Sequence, residues 1–195
     1  MIDVPTLTDG VVTLRAHVAA DLQRAWEQCQ DAESIRWTTV PVPYSHADAA
    51  DFLAAMPRLW ESDREWIFAV EYDGAYGGTV SLRNEGSHRA EIAYGSHPAV
   101  RGVRVDGVTV MERALRLLLV WGFAARGLET VIWWAHQGNW ASRRLAWKVG
   151  FAFVPGVVPA WLPQRGQLRD AWLGTLRRGA SLAPGAAWPA DVVAR

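Results

Sequence analysis

Residues 89–102 read Arg-Ala-Glu-Ile-Ala-Tyr-Gly-Ser-His-Pro-Ala-Val-Arg-Gly, and residues 108–123 read Val-Thr-Val-Met-Glu-Arg-Ala-Leu-Arg-Leu-Leu-Leu-Val-Trp-Gly-Phe. The first stretch alternates side-chain character from Arg89 to Ser96 and then meets Pro98, which predicts a strand that stops at a turn. In the second, Val108, Met111, Leu115, Leu118 and Gly122 share one helical face. Val110, Ala114, Leu117 and Trp121 lie on the adjoining face, so the helix is buried over a broad arc. A loop with Gly102 and Gly107 joins the two elements.

Working outward, Val11 to Arg15 reads as a strand, and Asp21 caps a helix carrying Leu22, Ala25, Trp26 and Cys29. Arg36 to Tyr44, with two prolines, reads as a loop. Ser45 and Asp48 form a capping box before a second helix that Pro57 is expected to end or bend. Trp66 to Glu71 and Tyr76 to Leu82 flank Asp73-Gly74, a tight-turn signal, and Asn84 to Ser87 reads as the next turn. Downstream come a strand from Thr130 to Ala135, an Asn139-capped helix to about Val149, a stop at Gly150, a strand from Phe151 to Val154, and a last strand from Asp170 to Leu176. The order β-α-α-β-β-β-α-β-α-β-β is an α/β (α+β) layer fold around one mixed sheet.

The chain has 195 residues with 20 basic and 20 acidic side chains, so no molecular field draws in nucleic acid or an anionic membrane, and any anionic ligand needs a local site. No apolar run approaches the ~18 residues of a membrane span, and a single cysteine forms no internal disulfide, which reads as cytoplasmic. Five scattered histidines predict no metal site, and hydrolase elbows and Walker loops are missing. Twelve tryptophans exceed what one small core easily buries, which suggests a pocket or a partner surface.

Together with that element order, three phrases resemble the GCN5-related N-acetyltransferase (GNAT) superfamily, in its ribosomal-protein and small-molecule (RimJ/RimL-like) branch. They are residues 89–94 with 97–102, Ala114 to Leu119 with Trp121 and Phe123, and Asn139-Trp-Ala-Ser142 through Gly150-Phe151. The resemblance implies a mixed, mostly antiparallel sheet of six to seven strands with about four helices. It makes 1–178 a single domain followed by an Ala/Gly/Pro-rich tail, 179–195. It also implies N-acylation of a small-molecule amine or a protein N-terminus by acetyl or another short acyl group, with acetyl-CoA as donor. The alternative is a non-catalytic relative acting as a ligand-binding or dimerisation module, and a homodimer stays open.

On this resemblance Glu91 is the general base and Ser142 gives a proton to the departing thiolate. Backbone groups near Gly95, Ser96 and His97 pair with the pantetheine arm. Arg101, Gly102, Arg104, Gly107 and Thr109 form the pyrophosphate loop before the helix, while Asn139 and Arg144 approach the cofactor. Trp37, Tyr44 and Trp161 line the acceptor pocket. Each has a plainer reading: Glu91 as a solvent-facing strand residue, Ser142 and Asn139 as local capping, Arg143, Arg144 and Lys148 as a solvated face, and Trp140, Trp161 and Trp172 as a dimer patch.

The family's loop reads Gln/Arg-x-x-Gly-x-Gly/Ala, and here no register matches fully. Arg104-Val-Asp-Gly107-Val-Thr109 comes nearest and requires a lengthened loop. Asp106 or Glu112 within ~4 Å of a phosphate would cost about 4 kcal/mol per charge pair at an effective dielectric near 20. Three states stay open: a rebuilt CoA site, a site for another acyl carrier, or a ruined one.

Overall fold

The computed structural model describes residues 3–188. Its strands are β1 (Leu7–Thr8), β2 (Val12–Arg15), β3 (Glu65–Tyr72), β4 (Ala75–Gly86), β5 (Arg89–Ser96), β6 (Arg104–Val105), β7 (Val108–Thr109), β8 (Thr130–His136), β9 (Ala152–Phe153), β10 (Val158–Gln164) and β11 (Gln167–Arg177). The helices are α1 (Leu22–Gln30), α2 (Ala32–Trp37), α3 (His46–Glu61), α4 (Val110–Ala125) and α5 (Trp140–Lys148). Nine strands form one sheet in the order β1-β2-β3-β4-β5-β8-β11-β10, with β9 on β11, and β6 with β7 forms a separate hairpin. Every pairing is antiparallel except β5 with β8. The mixed, mostly antiparallel fold is therefore present; the added strands are β1 and β10 at the two ends of the sheet and the separate β6–β7 hairpin, and α2 is the added helix.

The buried arc of α4 is where the sequence places it. Val110, Ala114, Leu115, Leu118 and Leu119 are fully buried and join Leu14, Phe68, Val80, Leu82 and Trp133 in one core. Asp73 (φ 52) and Gly74 (φ 68) make the predicted tight turn of the β3–β4 hairpin.

Elsewhere nonlocal contacts override local signals. Asp21 does not cap α1 with its side chain, which accepts from the Val18 N–H at 3.0 Å and forms a two-pronged pair with Arg15, at 2.8 Å on each oxygen. Arg36 and Trp37 belong to α2, which Asp31 starts by accepting from the Ser34 N–H at 3.0 Å. Pro57 sits inside α3 without ending it, because buried Met56 and Trp60 hold the last turns and the Trp60 indole donates to the Ile67 carbonyl at 2.9 Å. The second hairpin turns at Ser87 and His88, both at positive φ, so β4 runs through Gly86. Trp161 lies in strand β10, where Pro159 and Pro163 are tolerated on the sheet edge.

The C-terminal segment returns to the body as far as it is described. Gly150 (φ 94) leaves room for the Ser181 carbonyl, and the Trp147 indole donates to the Ala186 carbonyl at 2.9 Å. Residues 189–195 lie outside the described residues.

Between β2 and α1, His17 is packed against Phe52 and Tyr76, with its Nε2 3.2 Å from the Thr79 hydroxyl and its Nδ1 buried without a partner. Burial pushes its pKa down from 6.5 to about 4, with Asp21 opposing and Arg15 adding to the shift. The unfolded chain then binds the proton that the native state refuses, so stability is full above the unfolded value and is lost as pH falls from about 6.5 toward 4. The loss reaches on the order of 3 kcal/mol. Urea titrations across this range should show His17→Gln with a flatter acid limb than the parent; parallel curves would exclude His17 as its source.

Candidate active site

The parallel β5–β8 pairing lasts for three residue pairs, Arg89 with Thr130, Ala90 with Val131 and Glu91 with Ile132. Beyond Glu91 the two strands part, and the sheet opens at its middle. The His97 N–H donates to the Gly77 carbonyl at 2.9 Å, and Gly95 faces Thr79, so the peptide groups of Gly95 and His97 are turned toward β4. By alternation, Tyr94 and Ser96 turn theirs toward the opening. The edge expected at Gly95 to His97 is thus narrower, because register with β4 uses every second residue.

Glu91 stands at the closed end of this opening. A Cβ on Gly95 would meet the Gln28 side chain of α1 at 2.8 Å, which places the odd-numbered β5 residues, Glu91 included, on the α1 side of the sheet. Burial raises the Glu91 pKa, nearby Glu85 and Glu65 add to it, and Arg83 at 3.4 Å opposes. A carboxylate moved up toward neutrality is better matched to taking a proton from an amine.

On the opposite face Tyr94 reaches across to α5. Its hydroxyl donates to the Ser142 carbonyl at 2.9 Å, lies 2.9 Å from the Ser142 hydroxyl, and accepts from the Trp133 indole at 2.8 Å. The same indole also reaches Ser142 Oγ at 3.2 Å. Burial raises the phenol pKa, so Tyr94 stays protonated and Ser142 Oγ belongs to a chain of neutral donors. Asn139 caps α5 through the Ser142 N–H at 3.1 Å, which orients that serine. Tyr94 and Trp133 are not among the site residues the sequence points to; its one signal is that Tyr94, an odd number of positions from Glu91 on β5, faces the other side of the sheet.

The remaining predicted residues have other partners. His97 is 8% exposed and clamps α1 to β5: Nδ1 accepts from the Ala99 N–H and meets Arg24 at 3.2 Å, and Nε2 donates to Glu27 at 3.2 Å. Arg101 pairs with Asp31 at 2.6 Å and donates to the Ser34 hydroxyl at 3.0 Å and the Ser96 carbonyl at 3.1 Å, pinning α2 to the end of β5. Arg104 and Thr109 belong to the β6–β7 hairpin, with Asp106 (φ 51) and Gly107 (φ 78) at its tip and Gly102 (φ 75) before it. Arg104 donates to the Gly107 carbonyl at 2.8 Å, and the Thr109 hydroxyl accepts from the Glu112 N–H at 3.2 Å. The loop before α4 is thus folded as a two-stranded hairpin.

The feared carboxylates face elsewhere. Asp106 is 87% exposed and 3.7 Å from Arg113, while Glu112 is buried between Arg116 at 2.8 Å and Lys148 at 3.2 Å. Arg144 lies over Trp188, and Arg143 lies over Trp172, Phe153 and Trp140. A pantetheine arm, whose amides pair like a strand, fits the Tyr94–Ser96 edge. A diphosphate does not fit the loop as folded, because the Val110 N–H already donates to the Val103 carbonyl at 3.1 Å and the neighbouring cations have protein partners.

Two of the three acceptor candidates, Trp37 and Trp161, lie against residues at or just after the end of β8. α2 is tied to the β10–β11 turn through Gln164 on the Arg36 carbonyl at 2.6 Å and Arg165 on the Ile35 carbonyl. Trp37 covers Gly138, where a Cβ would meet its ring at 3.4 Å. Trp161, 52% exposed, stacks on Trp134 at 5.3 Å, and Trp134 shares the Glu91 face of the sheet. Tyr44 is held on α1 instead, its hydroxyl against Cys29 and its carbonyl accepting from Trp26. Trp140 and Trp172 pack against each other as a tilted pair with centroids 4.4 Å apart, and Trp172 is 5% exposed, so Trp140, Trp161 and Trp172 do not form one exposed surface. Among the described residues no helix is long and apolar enough to cross a membrane, and no cluster of three His, Cys, Asp or Glu is placed to hold a metal.

Comparison with known proteins agrees with this architecture. The family model described as an acetyltransferase (GNAT) domain matches residues 12–152. A solved structure titled a probable acetyltransferase is 23% identical, with a TM-score of 0.74, over 89% of this chain and 97% of that one. Mycobacterium smegmatis RimJ, solved with CoA-disulfide, is 21% identical, with a TM-score of 0.72, over 89% and 86%. The microcin C7 self-immunity acetyltransferase MccE, solved with acetyl-CoA and AMP, is 16% identical, with a TM-score of 0.75, over 87% and 93%. A search of curated proteins gives no match.

Proposed function

The chain belongs to the acetyltransferase (GNAT) family, and from that membership we propose that it moves an acetyl or other short acyl group from a pantetheine thioester to a primary amine in the cytoplasm. The observation that supports this most is the opening of β5 from β8 at Glu91, with Tyr94 and Ser142 on its other side. A thioester supplies an activated acyl carbon. The exposed Tyr94 and Ser96 peptide groups hold the arm that carries it, and their N–H groups lie along the edge where carbonyl charge develops.

Glu91, directly or through water, takes the proton from the attacking amine as the N–C bond forms. When the C–S bond breaks, the Ser142 hydroxyl, held in place by Tyr94, gives its proton to the sulfur and regains one from solvent, which receives the amine proton that Glu91 releases. Trp37, Trp134 and Trp161 form an aromatic wall for the acceptor, suited to a ring-bearing amine or a peptide N-terminus. Residues 1–178 make up the catalytic domain in this reading, and residues 181–186 pack back beside α5.

Thiol release from acetyl thioesters, measured with a panel of amines and N-terminal peptides, tests the reading. Ser142→Ala should lower kcat by about a hundredfold, the lower end of the range for losing one proton-transfer partner. Tyr94→Phe should act in the same direction, and the double variant should cost less than the product of the two, as for groups acting as a unit. Full additivity would separate them. A chain that acylates no amine with any thioester would be the non-catalytic relative.

A further inference from the structure

We propose that this protein recognises its acyl donor through the pantetheine arm and not through the nucleotide diphosphate, so that its donor class is pantetheine thioesters, whatever the arm is attached to. The inference rests on the acyltransferase reading of the same site and names its donor.

The two halves of the donor path are built differently. Along the opening, the peptide groups of Tyr94 and Ser96 face away from β4, and β8 does not pair with them. Among the described residues, only the Ser96 carbonyl has an added partner, Arg101. That edge is ready for the two amides of a pantetheine arm.

At the start of α4 the groups that would grip a diphosphate already serve the protein. The Val110 N–H donates to Val103 and the Glu112 N–H to the Thr109 hydroxyl, so two of the first three helical N–H groups are satisfied from within. The β6–β7 hairpin between them is closed on itself by Arg104 on the Gly107 carbonyl. Arg101 is bound to Asp31, Arg113 to Asp9 at 2.8 Å, and Lys148 and Arg116 share the buried Glu112. A diphosphate that drew Arg101 or Arg113 away would take the ion-pair partner from Asp31 or Asp9. Glu112, at 7% exposure, is held by both Arg116 and Lys148, and losing both would leave a buried unpaired charge.

The test compares acetyl-CoA, acetyl-pantetheine and an acetylated phosphopantetheine carrier protein as donors, with adenosine 3′,5′-bisphosphate as competitor. The expected kcat/KM values for acetyl-CoA and acetyl-pantetheine agree within about threefold, under 1 kcal/mol on the scale of ~1.4 kcal/mol per decade. The bisphosphate does not inhibit at millimolar concentration. The KM for acetyl-CoA stays flat as salt rises, since exposed ionic recognition is screened. A preference for acetyl-CoA of about thirtyfold or more, close to 2 kcal/mol on the same scale, would overturn the inference and leave the acyltransferase reading standing.

Thermal shift with free CoA and free pantetheine reads the same point without turnover. Equal stabilisation by both supports the inference even in a chain that acylates nothing, in which case the catalytic reading alone fails. Stabilisation by CoA or the bisphosphate only, or by neither compound, rejects it. Preference for the carrier protein over acetyl-pantetheine would identify the source of the arm.

Discussion

Glu91→Gln lowers kcat by about a hundredfold to a thousandfold while KM for the thioester changes little, because the amide keeps the shape and loses the base. The parent enzyme's kcat/KM falls on the acid side as the Glu91 carboxylate protonates. That limb lies above the ordinary glutamate value of 4.5, since burial raises this group. In the variant the limb disappears. Rates at saturating donor over a pH series measure both effects. A variant that loses activity but keeps the acid limb would assign the titration to another group, and an unchanged kcat would remove Glu91 from the chemistry. Arg83→Gln is the informative companion: freed from the cation 3.4 Å away, Glu91 titrates higher and the limb moves to higher pH.

Gly78→Ala is the substitution expected to harm the fold and the site together. Gly78 has φ +151, and a Cβ there would lie 2.3 Å from the Gly95 carbonyl oxygen and 3.0 Å from the Ser96 Cα. Both neighbours are backbone, so relief requires moving β4 away from β5, at the level where β5 has parted from β8. Overpacking at about 1–3 kcal/mol and positive-φ strain of similar size together predict a loss of about 3–5 kcal/mol. At roughly 2–4 °C per kcal/mol for a chain of this size, the melting temperature falls by about 10 °C. Gly74→Ala is the control. It also has positive φ (+68) but open space around it, so only the backbone strain is paid. Equal losses in the two variants would show that the contact with β5 contributes nothing.

Much of the architecture follows from short-range chemistry that a sequence displays directly. The two-residue alternation of 89–96 and the broad apolar arc of 108–122 appear as β5 and α4. Asp73-Gly74 turns because those residues accept positive φ, and Asn139 caps α5 because its side chain reaches the N–H three residues on. The misreadings share one cause. Asp21 resembles a cap and Pro57 a helix breaker until Arg15 and the Trp60 indole, with partners on other elements, outweigh the local preference.

What the sequence by itself determined is therefore the order of elements, the resemblance to an acetyltransferase, and the placing of Glu91 on β5 and Ser142 on α5. Each depends on periods, caps and spacings within a few residues of one another. Tertiary structure alone decided which β5 peptide groups face the opening, because that depends on register with β4. It alone joined Tyr94 to Ser142, 48 positions apart, and turned Glu112 toward Lys148 rather than toward a phosphate. A cation in a sequence is an offer to any anion. Folding determines which anion takes it, and around α4 the partners are the chain's own carboxylates and carbonyls.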